Sequence, residues 1–173
     1  RPDAMLGHSI GDYVAAAVSG VMSLEDATFL VAKRAACMQA MQPGGMIAVR
    51  ASVQTIQSLL PSHLSIAAEN SIDLTVVAGE SDAIAAWIPV IEKAGLKAQL
   101  LKTSHAFHSS MMKEACARFA QEFSHVTLHA PSLRFVSSLT GDWITPDEAT
   151  SPEFWARQIL MPVKFNTGLK TIL

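Results

Sequence analysis

The pentapeptide Gly7-His8-Ser9-Ile10-Gly11 decides the fold. It follows the short apolar run Ala4-Met5-Leu6 and opens a small-residue segment, Asp12-Tyr13-Val14-Ala15-Ala16-Ala17-Val18. A G-x-S-x-G between a strand and a helix has the form of a nucleophile elbow. The strand stops abruptly, the glycines let neighbouring backbone approach, and the amides at the helix start point back at the serine. A serine hydroxyl is a weak nucleophile until a base and an electrophilic pocket act on it, and here the Ile10 amide is the candidate donor for a developing oxyanion. The competing reading of the five residues alone is a plain Gly-Ser loop, and the flanking strand and helix favour the elbow.

Outward from the elbow, 173 residues of which half are hydrophobic suit one ordinary domain with a sizeable core. Fifteen acidic and thirteen basic residues give a net charge of −2, with no basic patch to attract nucleic acid or an anionic membrane. No apolar run is long enough to cross a bilayer and no charged-then-apolar leader precedes the elbow. Cys37 and Cys116 lie far apart within helical patterns and read as buried free thiols of a reducing compartment, so the expected location is the cytoplasm. The elbow strand follows Arg1-Pro2-Asp3 directly, although an elbow normally lies in mid-sheet; the expectation is a domain truncated at its N-terminus.

Gly20 ends the elbow helix, and Ser23-Leu24-Glu25-Asp26 has the form of a capping box that starts a second helix running to about Met41. Leu24, Ala27, Val31, Ala35, Met38 and Met41 keep the three-and-four spacing of a buried face, with Arg34 beside it. Arg34 reads either as an arginine snorkelling to water or as a fork that binds a carboxylate at the floor of a cleft; spacing alone favours the first.

Pro43-Gly44-Gly45 breaks that helix and the rhythm changes. The pattern predicts strand 46–49, helix 53–60, strand 64–68, strand 74–78, helix 81–94 and strand 97–101, the βαββαβ order of a ferredoxin-like unit. Pro89 should bend or interrupt the second of these helices. The fold class read from the chain is therefore α/β: a partial α/β-hydrolase-like core at 1–45 and 103–173, with a ferredoxin-like small subdomain inserted at 46–102.

After the insert, Thr103-Ser104-His105-Ala106-Phe107-His108-Ser109-Ser110 leads into an amphipathic helix over 111–123. Half a zinc site is one reading of His105 and His108, but no further Cys or His falls at ligand spacing, so no metal is expected. Packing or capping is the default for each histidine. The third reading makes one of them the general base for Ser9. His63, His125 and His129 lack a matching context and His8 points away from Ser9 in a tight turn, which leaves His105 or His108. A strand over 133–137, a turn at Thr140-Gly141-Asp142, a helix over 152–160 with Trp155 and Gln158, and a last helix from Asn166 complete the chain.

Taken together, Gly7 to Ala16, Arg34 with Met38-Gln39, Pro43-Gly44-Gly45-Met46, Asn70, His105 to Ser109, and Gln158 before Pro162-Val163 resemble the acyltransferase domain of modular polyketide synthases. That family is related to the malonyl-CoA:acyl-carrier-protein transacylases, and the resemblance spans the whole chain. It implies that Ser9 is the nucleophile and His108 its base, with the Ile10 amide in the oxyanion hole and the backbone carbonyl of Gln158 orienting the imidazole in place of a triad acid. It makes Arg34 the clamp for a malonyl carboxylate and places His8, His105, Phe107 and Asn70 at the substrate. His105-Ala106-Phe107-His108 corresponds to a malonyl-type selector, where methylmalonyl users carry Tyr-Ala-Ser-His; Phe107 would fill the space of an α-methyl, a discrimination of about 1–3 kcal/mol.

The implied substrates are malonyl-CoA and a phosphopantetheinylated acyl carrier protein, with no bound cofactor, and neighbouring synthase domains are implied partners. The chain departs from the family at Asp12, where Glu is common, at Lys164, where Arg is usual, and at Ser110-Met111, where Pro-Leu is common. It also lacks the family's opening Gly-Gln-Gly segment, whose Gln supplies a second oxyanion donor. The alternatives are a thioesterase or esterase with the same elbow, and a non-catalytic truncated fragment.

Overall fold

The computed structural model describes residues 2–173. Two bodies of secondary structure meet along one seam, and the elbow lies at that seam. The first contains strands β1 (Met5–Leu6) and β6 (Phe135–Val136), paired in parallel with Met5 opposite Phe135. Around them pack helices α1 (Gly11–Ser19), α2 (Leu24–Gln39), α5 (Lys113–Gln121), α7 (Pro152–Arg157) and α8 (Phe165–Ile172). Tyr13, Leu30, Phe119, Phe135, Trp155 and Ile159 are fully buried at the centre of this body. The Tyr13 and Trp155 rings are tilted at 5.2 Å, within the favourable range for an aromatic pair.

The second body is the insert. Strands β2 (Gly45–Val49), β3 (Ser65–Ser71), β4 (Leu74–Gly79) and β5 (Ala98–Leu100) form an antiparallel sheet in the order β3-β4-β2-β5, interleaved with α3 (Val53–Leu59) and α4 (Ser81–Lys93). This is the ferredoxin-like βαββαβ arrangement expected from the sequence. Side chains alternate along β2. Ile47 and Val49 turn to α3 and α4 with Ile56, Ile84, Trp87 and Ile91, whereas Met46 faces the other body with Val76 and Ala78. Between the bodies, the Glu69 and Val163 amides continue the ladder past β3, donating to Val163 and Ala67 carbonyls at 2.8 and 2.9 Å. Asn166 and Thr167 at the start of α8 donate to the Glu69 carboxylate at 2.9 and 3.1 Å.

Local chemistry explains several element ends. Gly20 closes α1 in the left-handed region, with φ 78°. Ser23, Ser52 and Ser151 cap α2, α3 and α7 by accepting from an amide three residues on. At Ser23 the capping box is half-made, because the Asp26 carboxylate accepts from the Ser23 hydroxyl at 2.7 Å.

Three expectations are corrected and one helix is added. The buried side of α2 is Ala27, Leu30, Arg34 and Met38, while Leu24 and Ala35 are exposed, so Arg34 lies on the buried face and not beside it. Pro89 does not interrupt α4: it and Ala85, whose carbonyl lacks the proline's missing N–H, both face water. A helix α6 (Pro146–Ala149) unforeseen in the pattern starts at a complete Thr145/Glu148 capping box. Cys37 and Cys116 are only half-buried, and that burial still pushes both thiols up.

Candidate active site

The elbow is built on strain at one residue and crowding at another. Ser9 has φ 53°, in the left-handed region that a non-glycine residue adopts only when its surroundings over-determine it. Gly7 is a steric requirement, since a Cβ there would overlap the Gly11 carbonyl carbon and the Asp12 amide. Gly11 is not, for a Cβ at that position meets nothing within 4 Å. The Ile10 N–H at the start of α1 has no hydrogen-bond partner among the described residues.

His108 is the other strained residue, with φ 56°. Its ring reaches Ser9 Oγ through Nε2 at 2.7 Å, and its Nδ1 lies 3.0 Å from the Met161 carbonyl. A carbonyl can only accept, so Nδ1 carries the proton and Nε2 offers its lone pair to the Ser9 hydroxyl. The His108 amide donates to the Ile159 carbonyl at 3.2 Å. The turn after α7 thus turns its free carbonyls on this one residue. The sequence assigned the orienting carbonyl to Gln158; the close hydrogen bond is Met161's, and Gln158's carbonyl is a lesser partner in the same turn. Burial, reinforced by the Arg34 charge, lowers the imidazole to about 4 against the pull of those two carbonyls.

Arg34 completes the group from the middle of α2. Its Nη2 donates to Ser9 Oγ at 2.8 Å, its guanidinium carbon lies 5.9 Å from the Tyr13 ring centre, and the residue is 5% exposed. Its Nε–H is buried with no partner, and no carboxylate among the described residues forms an ion pair with it. Burial lowers its pKa, while Tyr13 and Asp12 act the other way. A desolvated guanidinium with an unused donor beside a hydroxyl–imidazole pair is arranged to receive an anion.

These groups open into a cleft of about 410 Å³ between the two bodies, walled by Met38, Met46, Ala67, Val76 and Leu101. His8 and Asn70 line it from opposite bodies and join across the seam, with His8 Nε2 2.8 Å from Asn70 Oδ1. Phe107 is half-buried in its wall. His105, expected at the substrate, does not line the cleft. It is 3% exposed, with Nδ1 on the Ser104 hydroxyl at 2.8 Å and Nε2 on the Met41 carbonyl at 3.0 Å, and its ring lies 6.0 Å from that of Phe107. Both ring nitrogens are committed, so His105 reaches the cleft only through Phe107.

The acyl transferase domain family model matches residues 1–173. The chain belongs to that family. Among curated relatives of this acyl transferase domain, polyketide synthase GfsB of Streptomyces halstedii is 37% identical over 175 residues, which cover 98% of this chain and 3% of the synthase. The mycoketide-CoA synthase of Mycobacterium tuberculosis is 38% identical over 171 residues, 98% of this chain and 4% of the synthase. The acyl transferase domain of SpnD, solved with a 2-(pent-4-yn-1-yl)malonyl group, superposes with TM-score 0.95 at 33% identity, over 99% of this chain and 42% of that one. This chain therefore spans a few per cent of these synthases and less than half of that solved chain.

Two side chains at the site are not legible as partners in the sequence: those of Asp12, a departure from the family pattern, and of Gln158, implicated only through its main chain, are both buried directly behind Ser9. A polar residue in the first turn of the elbow helix was the available signal. Among the described residues, no cluster of three or more His, Cys, Asp or Glu is placed to hold a metal, and no helix is long and apolar enough to cross a membrane.

Proposed function

We propose that this acyl transferase domain takes a malonyl group from malonyl-CoA as an ester on Ser9 and passes it to the phosphopantetheine thiol of an acyl carrier protein. The observation that carries the reading is Arg34: a buried guanidinium, hydrogen-bonded to the candidate nucleophile, whose Nε–H has no partner and which has no ion-pair partner among the described residues. A simple ester hydrolase has no use for a desolvated cation at that point, whereas a malonyl carboxylate would satisfy it with two parallel hydrogen bonds.

In this reading His108 Nε2 takes the Ser9 proton as Oγ attacks the thioester carbonyl. The oxyanion develops against the Ile10 amide, and the departing coenzyme A thiolate collects the proton from His108. The second half-reaction runs the same steps in reverse with the carrier thiol as nucleophile. The low pKa of His108 keeps its Nε2 free to accept at neutral pH. Phe107 in the cleft wall supports malonyl over methylmalonyl. The relatives, polyketide synthases of which this chain matches a small share, support a carrier protein and neighbouring synthase domains as partners.

The test is intact-protein mass spectrometry of the full-length protein after mixing with malonyl-, methylmalonyl- or acetyl-CoA. A malonyl adduct mapped to Ser9 and transferable to a carrier thiol is expected, and absence of any Ser9 adduct, or loss of the acyl group to water alone, overturns it.

A further inference from the structure

Behind Ser9, among residues that do not line the cleft, lies a buried polar network. The Gln158 Nε2 donates to the Ser9 carbonyl at 3.1 Å and to Asp12 Oδ2 at 2.9 Å. The same Oδ2 accepts from the Ser138 amide and from the Ser138 hydroxyl, each at 2.9 Å. Asp12, Gln158 and Ser138 are 1%, 3% and 0% exposed. An amide nitrogen has two hydrogens, and both are used here, which fixes the orientation of the Gln158 carboxamide. Gln158 Oε1 and Asp12 Oδ1 are buried without partners.

Three elements meet in this network: the first turn of α1, the turn after β6 and the end of α7. Gln158 belongs to the turn whose carbonyls hold His108, so one residue faces both members of the Ser9–His108 pair. Ser9 needs such a hold, because a serine in the left-handed region, at φ 53°, is strained and relaxes unless its neighbours prevent it. Its carbonyl is fixed from two sides, by the Gln158 amide and by the Asp12 N–H at 3.1 Å.

We propose that the Gln158 carboxamide and the Asp12 carboxyl group are a positioning pair: they keep the Ser9 backbone in register with His108 through the Ser9 main-chain carbonyl and touch no substrate. The inference rests on the reading of Ser9 as nucleophile. A displacement of about 1 Å between reacting groups costs on the order of 10²-fold in rate, so removing the pair lowers the rate of acylation and leaves substrate affinity alone. The charged and titratable groups around the network are Asp12 itself, Tyr13, Arg34 and His108; burial already pushes the Asp12 carboxyl up. A second carboxyl beside it would be held protonated still more strongly.

The experiment compares wild type, Gln158→Met and Gln158→Glu in the full-length protein, by rapid-quench acylation with malonyl-CoA followed by mass spectrometry. Gln158→Met keeps the backbone carbonyl and side-chain volume but deletes both donors. Its acylation rate constant is expected to fall roughly 10- to 100-fold with the malonyl-CoA KM within about twofold and the adduct still on Ser9. Gln158→Glu can donate only while protonated, so its rate gains a falling limb toward alkaline pH that wild type lacks. A wild-type rate constant in Gln158→Met overturns the pair, as does a folded Gln158→Glu that is no faster than Gln158→Met at any pH. Absence of a Ser9 adduct in wild type instead overturns the functional reading beneath it, so the two failures are told apart.

Discussion

Arg34 Nη2 stands 2.8 Å from Ser9 Oγ, so the cation and the serine hydroxyl are partners of one another. In the proposed reaction a malonyl carboxylate would draw the guanidinium onto itself and leave the hydroxyl to His108. Arg34→Met in the full-length protein should therefore lose malonyl transfer by about 10²-fold or more, from the cost of burying an unpaired carboxylate, while acetyl transfer is kept or rises. Steady-state kinetics with the two thioesters decides it, and equal losses for both would make Arg34 structural.

The same cation sets a pH signature. His108 is lowered to about 4 by burial first and the Arg34 charge second, with His8 adding to the effect. The acid limb of kcat/KM, which reports the free enzyme, should lie near 4, well below an ordinary histidine. If malonyl neutralises Arg34 as proposed, the imidazole regains basicity, and the acid limb of kcat should lie at higher pH than that of kcat/KM for malonyl-CoA. For acetyl-CoA the two limbs should coincide. Stability follows with a definite sign: below about pH 6.5 the unfolded chain protonates this histidine while the native one does not, so His108 destabilises progressively from there down to about 4. Paired pH–rate profiles for the two substrates carry the test.

Phe107 and His105 should separate although they are two residues apart. Phe107 is in the cleft wall and His105 behind it, bonded to Ser104 and Met41. Phe107→Ser alone should narrow the preference for malonyl over methylmalonyl by roughly 10-fold or more, the worth of room for one methyl group. His105→Tyr alone should mainly lower the melting temperature by stranding the Met41 carbonyl. A selectivity change from His105→Tyr matching that of Phe107→Ser would mean that the buried histidine shapes the cleft directly.

The fold was legible where local chemistry and packing agree. The elbow strand and helix, the capped start of α2 at Ser23, and the βαββαβ order of the insert all follow from period and punctuation, and the structure has each of them. Spacing alone puts Arg34 on a flank of α2, because a three-and-four pattern reads only apolar residues as buried, whereas the structure has it on the buried face with Met38, lining the cleft. Asp12 and Gln158 were illegible as partners because they are 146 residues apart and meet only when α7 docks behind the elbow. Met161 contributes through its main chain, where side-chain identity carries no signal.

The two glycines of the elbow look equivalent in sequence and should not behave so. Gly7→Ala drives a Cβ into the backbone of Gly11 and Asp12 and should cost several kcal/mol or prevent folding, in the manner of other overpacking changes. Gly11→Ala meets open space in the first turn of a helix and should be neutral or stabilising by up to about 1 kcal/mol. Chemical denaturation of both variants checks the contrast, and comparable stabilities would show that the turn can open at Gly7.

Strain at Ser9 gives the last prediction, because it separates the backbone from the hydroxyl. Ser9→Ala and Ser9→Gly both delete the hydrogen bonds to His108 and Arg34, and both should abolish the acyl-enzyme. They differ only in what the left-handed φ of 53° demands of the residue placed there. Alanine keeps the Cβ and its clash; glycine has none and adopts the conformation without strain. Ser9→Gly should therefore be more stable than Ser9→Ala by about 1 kcal/mol, despite the greater entropy a glycine loses on folding. If denaturation midpoints instead rank Ser9→Ala above Ser9→Gly, the elbow relaxes once the hydroxyl is gone, and its strain depends on the Oγ contacts and not on the packing of Gly7 and the Asp12–Gln158 pair behind it.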